Sequence, residues 1–548
     1  MGTDEFSRLL SEGYAYIDKT EMIGSFIDTA DVYLITRPRR FGKTMNMKML
    51  RDFFSNAKDS ESKGRLFHKL KIWGNEAVRP HQGQYPVIFI TLKDAGKTNK
   101  EDMLDKIAVV MYEAYSNYDF LLTEGILNAT EQEMFSAVFS MNAVQSQLES
   151  SLKNLSKWLH RYYGKRAVVL IDEYDTPLIA ATNCGYYDEA VNFMRSFLTE
   201  ALKGNESLQF ACLTGILRIA KESIFSELNN VTVCDTFSEL FASSFGFTDS
   251  EVCAAAKEFG VYEQMSEIRS WYNGYNFGGI QIYNPWSIMN FLKNRKLAPY
   301  WANTSENALI GSLLKYSSRR TLDELDTLMS GGSLTKYTSV FITFKDVFKN
   351  PSSLYSLLAA SGYLKTSSSA SSLGRNGFYS VVSIPNHEIR GCFLDLIAQW
   401  LNDLDLGDLV RDISVAMTSG QADELEALLN KYLLVSGSFY DGNESFYHGF
   451  MLALTAFCYE GYAVRSNRES GEGRFDIALF PLKEGFHGVL MEYKYASCAD
   501  GIEALLDESV KQVAGKKYLS EFDALGVPVY AYGIVFHKKT CRVKSVSL

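Results

Sequence analysis

The chain has 548 residues, of which 46% are apolar and 22% are charged, and its formal net charge is −10. This length exceeds what a single hydrophobic core supports, so we expect about three domains. The acidic balance excludes a protein that binds nucleic acid through a basic surface as a whole, and any such site must be a local basic patch.

The N-terminus and the cysteines predict a cytoplasmic protein without a membrane anchor. No apolar run reaches ~18 residues, so no membrane-spanning helix is expected. The N-terminal MGTDEFSRLL lacks the basic and apolar parts of a secretory signal. The eight cysteines are scattered without a Cys-x-x-Cys pair, which favours reduced thiols over a zinc site.

The segment before the first strand, residues 14–27, predicts a turn and a helix cap at Asp18-Lys19-Thr20. In a nucleotide-binding domain such a segment could lie beside the base. A plain helix cap is an equally good interpretation.

Residues 32–54 combine a short apolar run, a polar turn from Arg37 to Gly42, and a helical pattern that begins at Lys43-Thr44. This layout is typical of a phosphate-binding loop, in which backbone N–H groups and a helix N-terminus bind the phosphates. Lys43 would place a charge at the terminal phosphates, and the Thr44 hydroxyl would hold Mg²⁺.

The loop departs from the usual pattern, because Arg37 stands where the first glycine belongs. A strand–turn–helix without a ligand is therefore the alternative. We predict that nucleotide contacts come from the end of the loop, namely Arg40, Phe41 and Gly42, together with Lys43 and Thr44.

A second run, AVVLIDEYDTP at 167–177, predicts a buried strand that ends in Asp172-Glu173. Ligands of open α/β sheets bind at the carboxyl ends of the strands. Asp172 would hold the Mg²⁺ shell and Glu173 would polarise the attacking water. The pair is a weak signal alone and a strong one together with the Gly-Lys-Thr upstream.

Strands and helices alternate through the first half of the chain. Strands are predicted at 85–92 and 208–214, and helices at 101–160 and 187–203. This alternation predicts a parallel α/β sheet with helices on both faces. Thr214, at a strand end, and Arg218 are expected near the γ-phosphate, although a threonine there is often only a cap.

Between the two predicted sites the signals are weaker. Residues 271–286 are rich in aromatics, Asn and Gly, which favours a packed loop over a base-stacking surface. Residues 306–435 have a mostly helical pattern. Within them, a helix at 354–364, a Ser-rich turn at 366–373 and a strand from Phe378 predict a small winged-helix-like module, a fold that does not by itself establish DNA binding.

A second chemical site is predicted near the C-terminus. Asp476 lies at the start of one predicted strand, and Glu492 and Lys494 share one face of the next because they are two residues apart. Two carboxylates and one ammonium suit a Mg²⁺ or Mn²⁺ site that activates water. A β-hairpin with solvated charges is the alternative.

Two sets of motifs together resemble a known fusion. YIDKT (16–20), TRPRRFGKT (36–44), LIDEYDTP (170–177), LTGILRIAKESIFSELNN (213–230) and YNGY (272–275) resemble the AAA-ATPase-like domain of many bacterial proteins. YHGF (447–450), SNRESGEGRFDI (466–477) and MEYK (491–494) resemble the PD-(D/E)xK nuclease superfamily domain usually fused to it. Phe475 replaces the Pro of the superfamily's name, which many members tolerate.

The resemblance implies roles for individual residues. It implies Gly42, Lys43 and Thr44 on the nucleotide, Asp172 on Mg²⁺ and Glu173 on water. In the nuclease-like part it implies Asp476 and Glu492 as metal ligands and Lys494 as the catalytic lysine. It further implies a glutamate upstream of these residues, for which Glu444 is the best match and Glu460 the second. His448 is another candidate for this part of the site. A glutamine on the following helix often completes such sites, and Gln512 fits that position.

The sequence therefore predicts an AAA-ATPase-like domain at 1–305, a helical, winged-helix-like domain at 306–430, and an α/β nuclease-like domain at 431–548. The expected cofactors are ATP and Mg²⁺, with Mn²⁺ as an option at the nuclease site. The expected partner is nucleic acid, with DNA favoured, in a mobile-element or phage-defence context, and a homo-oligomer is left open. The alternative is a nucleotide-dependent switch or scaffold whose nuclease fold only binds nucleic acid.

Overall fold

A computed structural model of the chain describes residues 4–27, 32–57, 59–217, 231–301, 324, 327–329, 331–338, 351–371, 378–393, 407–435, 451, 454–458, 461–470, 473–496, 498–514, 522–523, 525–538 and 540–547. Contacts between residues divide the chain into two compact units, Met1–Trp301 with Thr335–His387, and Ala302–Leu334 with Glu388–Leu548. The three-domain division at 305 and 430 stays a prediction.

The strands are β1 Val32–Thr36, β2 Val87–Thr91, β3 Ala167–Asp172, β4 Leu208–Gly215, β5 Val231–Cys234, β6 Phe247–Thr248, β7 Tyr275–Phe277, β8 Ile280–Tyr283, β9 Leu334–Thr338, β10 Lys365–Ser371, β11 Phe378–Ser383, β12 Tyr462–Ser470, β13 Gly473–Pro481, β14 Gly488–Tyr495, β15 Val529–His537 and β16 Thr540–Ser547. The helices are α1 Phe6–Ser11, α2 Lys43–Phe54, α3 Ser60–Arg65, α4 Lys100–Ser116, α5 Ala129–Phe139, α6 Gln145–Tyr163, α7 Thr176–Cys184, α8 Tyr187–Leu202, α9 Asp249–Glu258, α10 Met265–Tyr272, α11 Pro285–Asn294, α12 Pro351–Ser361, α13 Gly407–Thr418, α14 Ala422–Val435 and α15 Ile502–Val513. Short 3₁₀ turns cover Thr20–Phe26, Leu66–Lys69, Lys71–Gly74, Arg79–His81, Asp119–Leu122, Tyr262–Gln264, Thr455–Cys458 and Ala499–Gly501.

The first unit is built on a five-stranded parallel sheet in the order β2-β3-β4-β1-β5. Every residue of β1 and β3 is buried, as expected of apolar strands that are covered on both faces. Met47 and Leu50 of helix α2 belong to the same buried apolar cluster as Tyr33 and Ile35 of β1. The predicted parallel sheet with helices is confirmed, and the carboxyl ends of β1, β3 and β4 meet at one edge.

Two small antiparallel sheets complete this unit. One has the order β6-β8-β7, and the other has the order β10-β11-β9, with α12 directly before β10. The prediction of a Ser-rich turn at 366–373 is wrong for residues 366–371. These residues belong to strand β10, which pairs with β11. Strand β10 is an edge strand of its sheet.

The second unit contains a mixed sheet in the order β12-β13-β14-β15-β16, in which only the β14–β15 pair is parallel. Val513 of α15 packs with Ala478, Leu490 and Ala531, and Leu506 of α15 packs with Val535, so α15 covers one face of this sheet. The predicted C-terminal α/β domain is confirmed. No helix in the described ranges is long and apolar enough to cross a membrane.

Candidate functional site

The turn between β1 and α2 contains two residues with a left-handed backbone conformation. Gly42 is the N-cap of α2 with φ 82°, and Arg40 also lies in the left-handed region with φ 65°. Gly42 accepts the first helical hydrogen bond from the Asn46 N–H at 3.0 Å. A glycine is favoured at such a position because it has no Cβ to clash. The free N–H groups of the first turn of α2 are available to an anion.

Lys43 is buried inside this loop. Its ammonium donates to the carbonyls of Arg37 and Pro38, both at 2.9 Å. Burial lowers the pKa of Lys43, and the carboxylates of Glu173 and Asp175 oppose that effect. The ammonium of Lys43 therefore lies inside the loop on two backbone carbonyls, near the carboxylates of Glu173 and Asp175.

Arg37, which replaces the first glycine, is a structural residue. It is fully buried, and its guanidinium donates to the carbonyls of Thr36, Cys234 and Phe241 at 2.8, 2.9 and 3.3 Å. The Phe245 and Phe277 rings lie 5.6 and 5.1 Å from the same group. Arg37 therefore ties the loop to the end of β5 and to the segment after it.

Asp172, at the carboxyl end of β3, joins two hydroxyls. Its Oδ2 accepts from Thr44 Oγ1 at 2.7 Å, and its Oδ1 accepts from Thr214 Oγ1 at 2.5 Å. Asp172 and Thr214 are buried at the centre of the sheet edge. Three residues that the sequence predicts for one site are thus in direct contact. A carboxylate and a hydroxyl are oxygen ligands of the type that Mg²⁺ prefers.

The acidic turn after β3 is held in a fixed shape. Glu173 has φ 54°, a left-handed conformation that is costly for a non-glycine residue and common at functional sites. On its far side, Asp175 is fully buried and accepts from the N–H groups of Ile216 and Leu217 at 2.8 and 3.0 Å. Burial raises the pKa of both Glu173 and Asp175, and the Asp172 charge raises that of Glu173 further.

The aromatic segment at 271–286 packs against the loop, which supports the packing interpretation. The Phe41 ring is buried 4.9 Å from that of Tyr275 and 5.2 Å from that of Phe277. The guanidinium of Arg40 lies 4.4 Å from the ring centre of Trp286. The side chains of Phe41 and Arg40 are therefore engaged by this segment, and the nucleotide contacts predicted for these residues stay a prediction.

The second predicted site lies on β13 and β14. Ile477 pairs with Met491, which brings Asp476 to the level of Glu492 on the neighbouring strand. Asp476 Oδ2 accepts from the Tyr493 N–H at 2.7 Å, and Lys494 Nζ lies 3.4 Å from Glu492 Oε1. Glu492 is only 6% exposed. The three predicted residues are thus brought together, with a buried carboxylate beside an ammonium.

Helix α15 covers the face that carries these residues. Gly533 pairs with Glu492 in the parallel register, and a Cβ at Gly533 would clash with Ser509 and Val510 of α15. Gln512 of the same helix donates to Glu508 at 3.3 Å, and its Oε1 is buried without a hydrogen-bond partner. Among the described residues, no group of three or more His, Cys, Asp or Glu side chains could hold a metal ion. In this part of the chain the site therefore has two carboxylates, those of Asp476 and Glu492.

Several predicted residues lie outside the described ranges: Arg218, Glu444, Glu460 and His448. Their roles stay predictions. Sequence reasoning missed the structural parts played by Arg37 and Asp175. Asp175 carried one available signal, since it is the third acid within residues 172–175.

Comparison with known proteins finds one family match at each end of the chain. Residues 1–225 match a family described as Predicted AAA-ATPase, and residues 442–546 match the PD-(D/E)XK nuclease superfamily. An uncharacterized protein in the vnfD 5' region of Azotobacter chroococcum mcd 1 is 25% identical over 559 residues, covering 99% of this chain and 97% of that protein.

A solved structure of a Signal Transduction ATPase with Numerous Domains (STAND) protein with a tetratricopeptide repeat sensor, from Pyrococcus horikoshii, matches at 13% identity with a TM-score of 0.25. That match covers 80% of this chain and 53% of the other, so the chain spans about half of that protein's length. The two family matches confirm the resemblance at both ends of the sequence.

Proposed function

We propose that this chain, which joins a predicted AAA-ATPase domain to a PD-(D/E)XK nuclease superfamily domain, binds and hydrolyses ATP and cleaves nucleic acid phosphodiesters. The observation that carries the ATPase half is the contact of Asp172 with both Thr44 and Thr214, beside the buried Lys43. Nothing in a plain strand–turn–helix requires a lysine, an aspartate and two hydroxyls to meet at one sheet edge.

The roles of these residues follow from their chemistry. Lys43 would exchange its carbonyl partners for the β- and γ-phosphates, and the N–H groups of the α2 N-terminus would bind phosphate oxygens. Thr44 and Asp172 would hold Mg²⁺, which neutralises charge on the transferred phosphoryl group when it is bound. Glu173 would accept the proton of the attacking water, because it lies next to Asp172 at the edge where the γ-phosphate would lie.

The ATPase half is tested by nucleotide binding and turnover. Lys43→Ala should weaken ATP binding by about 100-fold or more, whereas Glu173→Gln should keep binding and lose about 100-fold or more in kcat. Lys48→Ala is the matched control, because Lys48 lies on the same helix and pairs with Glu5. Equal binding by wild type and Lys43→Ala would refute the site.

The nuclease half rests on Asp476, Glu492 and Lys494. The two carboxylates would hold Mg²⁺ or Mn²⁺, which makes bound water a better nucleophile and stabilises charge on the scissile phosphate. Lys494, beside Glu492, would orient the water or offset the developing negative charge. DNA is the proposed substrate, and Glu492→Gln should abolish metal-dependent cleavage without unfolding the protein.

A nucleotide-dependent switch that only binds nucleic acid is the second candidate. The switch predicts ATP-dependent DNA binding without cleavage in either Mg²⁺ or Mn²⁺. Binding measured in Ca²⁺, followed by cleavage after exchange into Mn²⁺, distinguishes the two candidates.

A further inference from the structure

The carboxylate of Asp175 does not cap the helix that it precedes. Asp175 is the N-cap residue of α7, a position at which an aspartate usually accepts a hydrogen bond from the first turn of its own helix. Here the side chain makes no such bond. Its Oδ2 instead accepts from the N–H groups of Ile216 and Leu217, at 2.8 and 3.0 Å, just after β4. The buried carboxylate therefore joins two segments that are about forty residues apart in the chain.

Tyr174 makes a second connection between the same two segments. Its N–H donates to the carbonyl of Thr214 at 3.0 Å, and its buried hydroxyl donates to the carbonyl of Leu217 at 2.5 Å. We call residues 173–175 the acidic turn and residues 215–217 the β4 exit. Tyr174 and Asp175 thus bind the acidic turn to the end of β4 and to the β4 exit through four hydrogen bonds.

The acidic turn and the β4 exit are packed without space between them. A Cβ added at Gly215 would lie 2.7 Å from Asp175 Oδ1 and 2.7 Å from a ring carbon of Tyr174, which is closer than real Cβ atoms approach their neighbours. The Gly215 carbonyl also accepts from the N–H of Arg37, the first residue of the phosphate-binding loop, at 3.1 Å. Because the packing is this tight, a change in either segment must displace the other.

Glu173 lies between two residues that these contacts hold. On one side, Asp172 accepts from the hydroxyls of Thr44 and Thr214. On the other side, Tyr174 is bound through its N–H and its hydroxyl. Glu173 itself has φ 54°, a conformation that a non-glycine residue keeps only when its surroundings enforce it. The contacts of the acidic turn with the β4 exit supply that enforcement.

We propose that Asp175 is a positioning residue of the ATPase reaction, which binds the acidic turn to the β4 exit and so holds Glu173 where it receives the proton of the attacking water. The inference rests on the proposed ATPase function and adds the residue that fixes the base. In the reaction, water attacks the γ-phosphorus, the bond to the β–γ bridging oxygen breaks, and ADP and phosphate leave while the water proton passes to Glu173. Asp175 contacts none of the reacting atoms, so its effect on the rate passes through the position of Glu173.

The first test compares the ATPase kinetics of Asp175→Ala and Asp175→Asn with those of wild type. Alanine removes the acceptor of both N–H groups, and a catalytic group displaced by about 1 Å loses about 100-fold in rate. We therefore expect Asp175→Ala to lose about 30-fold or more in kcat, with the ATP dissociation constant changed by less than about threefold. The asparagine oxygen can still accept from Ile216 and Leu217, although without the help of a charge, so Asp175→Asn should stay within about tenfold of wild type. An unchanged kcat in Asp175→Ala would overturn the proposal.

Asp235→Asn is the matched control. Asp235 directly follows β5 of the same sheet, and its carboxylate accepts from a backbone N–H, that of Phe237 at 2.9 Å. This contact lies within one turn and does not hold the acidic turn, so the control should keep the kcat of wild type. A fall in kcat equal to that of Asp175→Ala would show that any such aspartate affects turnover, and would overturn the proposed role of Asp175.

A double-mutant cycle separates positioning of the base from a general weakening of the fold. Glu173→Gln removes the base, so in that variant the position of residue 173 no longer matters for proton transfer. We expect Asp175→Ala to lower kcat by less than about threefold when it is added to Glu173→Gln, although it costs about 30-fold or more in wild type. Losses that multiply in the double variant would show that Asp175 acts on the fold as a whole, and would overturn the inference.

Gly215→Ala disturbs the same contact from the other side and keeps Asp175 and Tyr174 intact, so it decides the question if Asp175→Ala does not fold. The added methyl group would displace the acidic turn, and we expect a loss of about tenfold or more in kcat with ATP binding retained. Binding of ATP and thermal unfolding are measured for every variant, so that a protein that has lost its fold is recognised. Wild type that does not hydrolyse ATP would overturn both the proposed function and the inference. Wild-type hydrolysis together with an unchanged kcat in Gly215→Ala would overturn only the inference.

Discussion

Restoring the usual glycine at position 37 should damage the protein rather than improve its phosphate-binding loop. The Arg37 guanidinium is fully buried, donates to three carbonyls, and lies 5.6 and 5.1 Å from the ring centres of Phe245 and Phe277. Arg37→Gly would leave those carbonyls without their donor and open a cavity where the side chain was buried. The loop would lose the contact that ties it to the segment after β5.

The expected fall in the free energy of unfolding of Arg37→Gly follows from two destabilising effects and one stabilising effect. Three lost hydrogen bonds cost about 1 kcal/mol each, and the cavity left by a large buried side chain costs about 2–4 kcal/mol. Against this, burial lowers the pKa of Arg37 from 12.5 to about 10, so carrying the charge inside is itself unfavourable. Removing the charge relieves about 3 kcal/mol. The net fall in the free energy of unfolding is about 2–4 kcal/mol.

The assay is thermal and chemical unfolding of wild type, Arg37→Gly and the matched control Arg40→Gly. We expect Arg37→Gly to lower Tm by roughly 5–10 °C and to weaken ATP binding. The control changes the same residue type in the same loop, but Arg40 is exposed and has φ 65°, a conformation that glycine adopts freely. Arg40→Gly should therefore change stability by less than about 1 kcal/mol. An Arg37→Gly protein that is as stable as wild type and binds ATP more tightly would refute this reasoning.

Two further predictions concern stability. Arg161 donates to Glu131 at 2.7 Å and lowers the pKa of this carboxyl from 4.5 to about 2, so the stabilisation by the charged form is present above pH 4.5 and lost as the pH falls to about 2. The difference in the free energy of unfolding between wild type and Glu131→Gln, measured in urea, should shrink over that range, and a constant difference would contradict the assignment. Gly533→Ala should destabilise the C-terminal unit by about 1–3 kcal/mol, because the added methyl clashes with Ser509. The double variant with Ser509→Gly should recover part of that loss, and no recovery would place the strain elsewhere.

The parts of the site that the sequence predicted are those with local signals. The apolar run before Arg37 and the helical spacing after Lys43 predicted β1 and α2 correctly. The two acids after a buried run predicted the end of β3, and parallel topology then brought Asp172 beside Thr44. A few neighbouring residues are enough to predict where a strand ends and where a helix begins. Once the sheet is known to be parallel, it follows that these strand ends and helix starts lie at the same edge of the sheet.

The parts that the sequence did not predict depend on distant partners. From the sequence alone, Arg37 is only a departure from the usual glycine of the loop. Its structural role depends on the acceptors Cys234 and Phe241, which are about two hundred residues away in the chain. The serines of residues 366–371 predict a turn, and only the pairing of β10 with β11 makes this segment a strand. Local propensity cannot show either feature, because tertiary contacts decide both.

DNA cleavage tests the central claim most directly. Plasmid, linear and single-stranded DNA would be incubated with wild type, Glu492→Gln and Lys43→Ala in Mg²⁺ or Mn²⁺, with and without ATP. Glu503→Gln serves as the control, because Glu503 is an exposed residue of α15. We predict metal-dependent cutting by wild type and the control and none by Glu492→Gln, and loss in Lys43→Ala as well if ATP gates the nuclease. Wild-type protein that binds ATP but cuts none of these substrates with either metal would contradict the account.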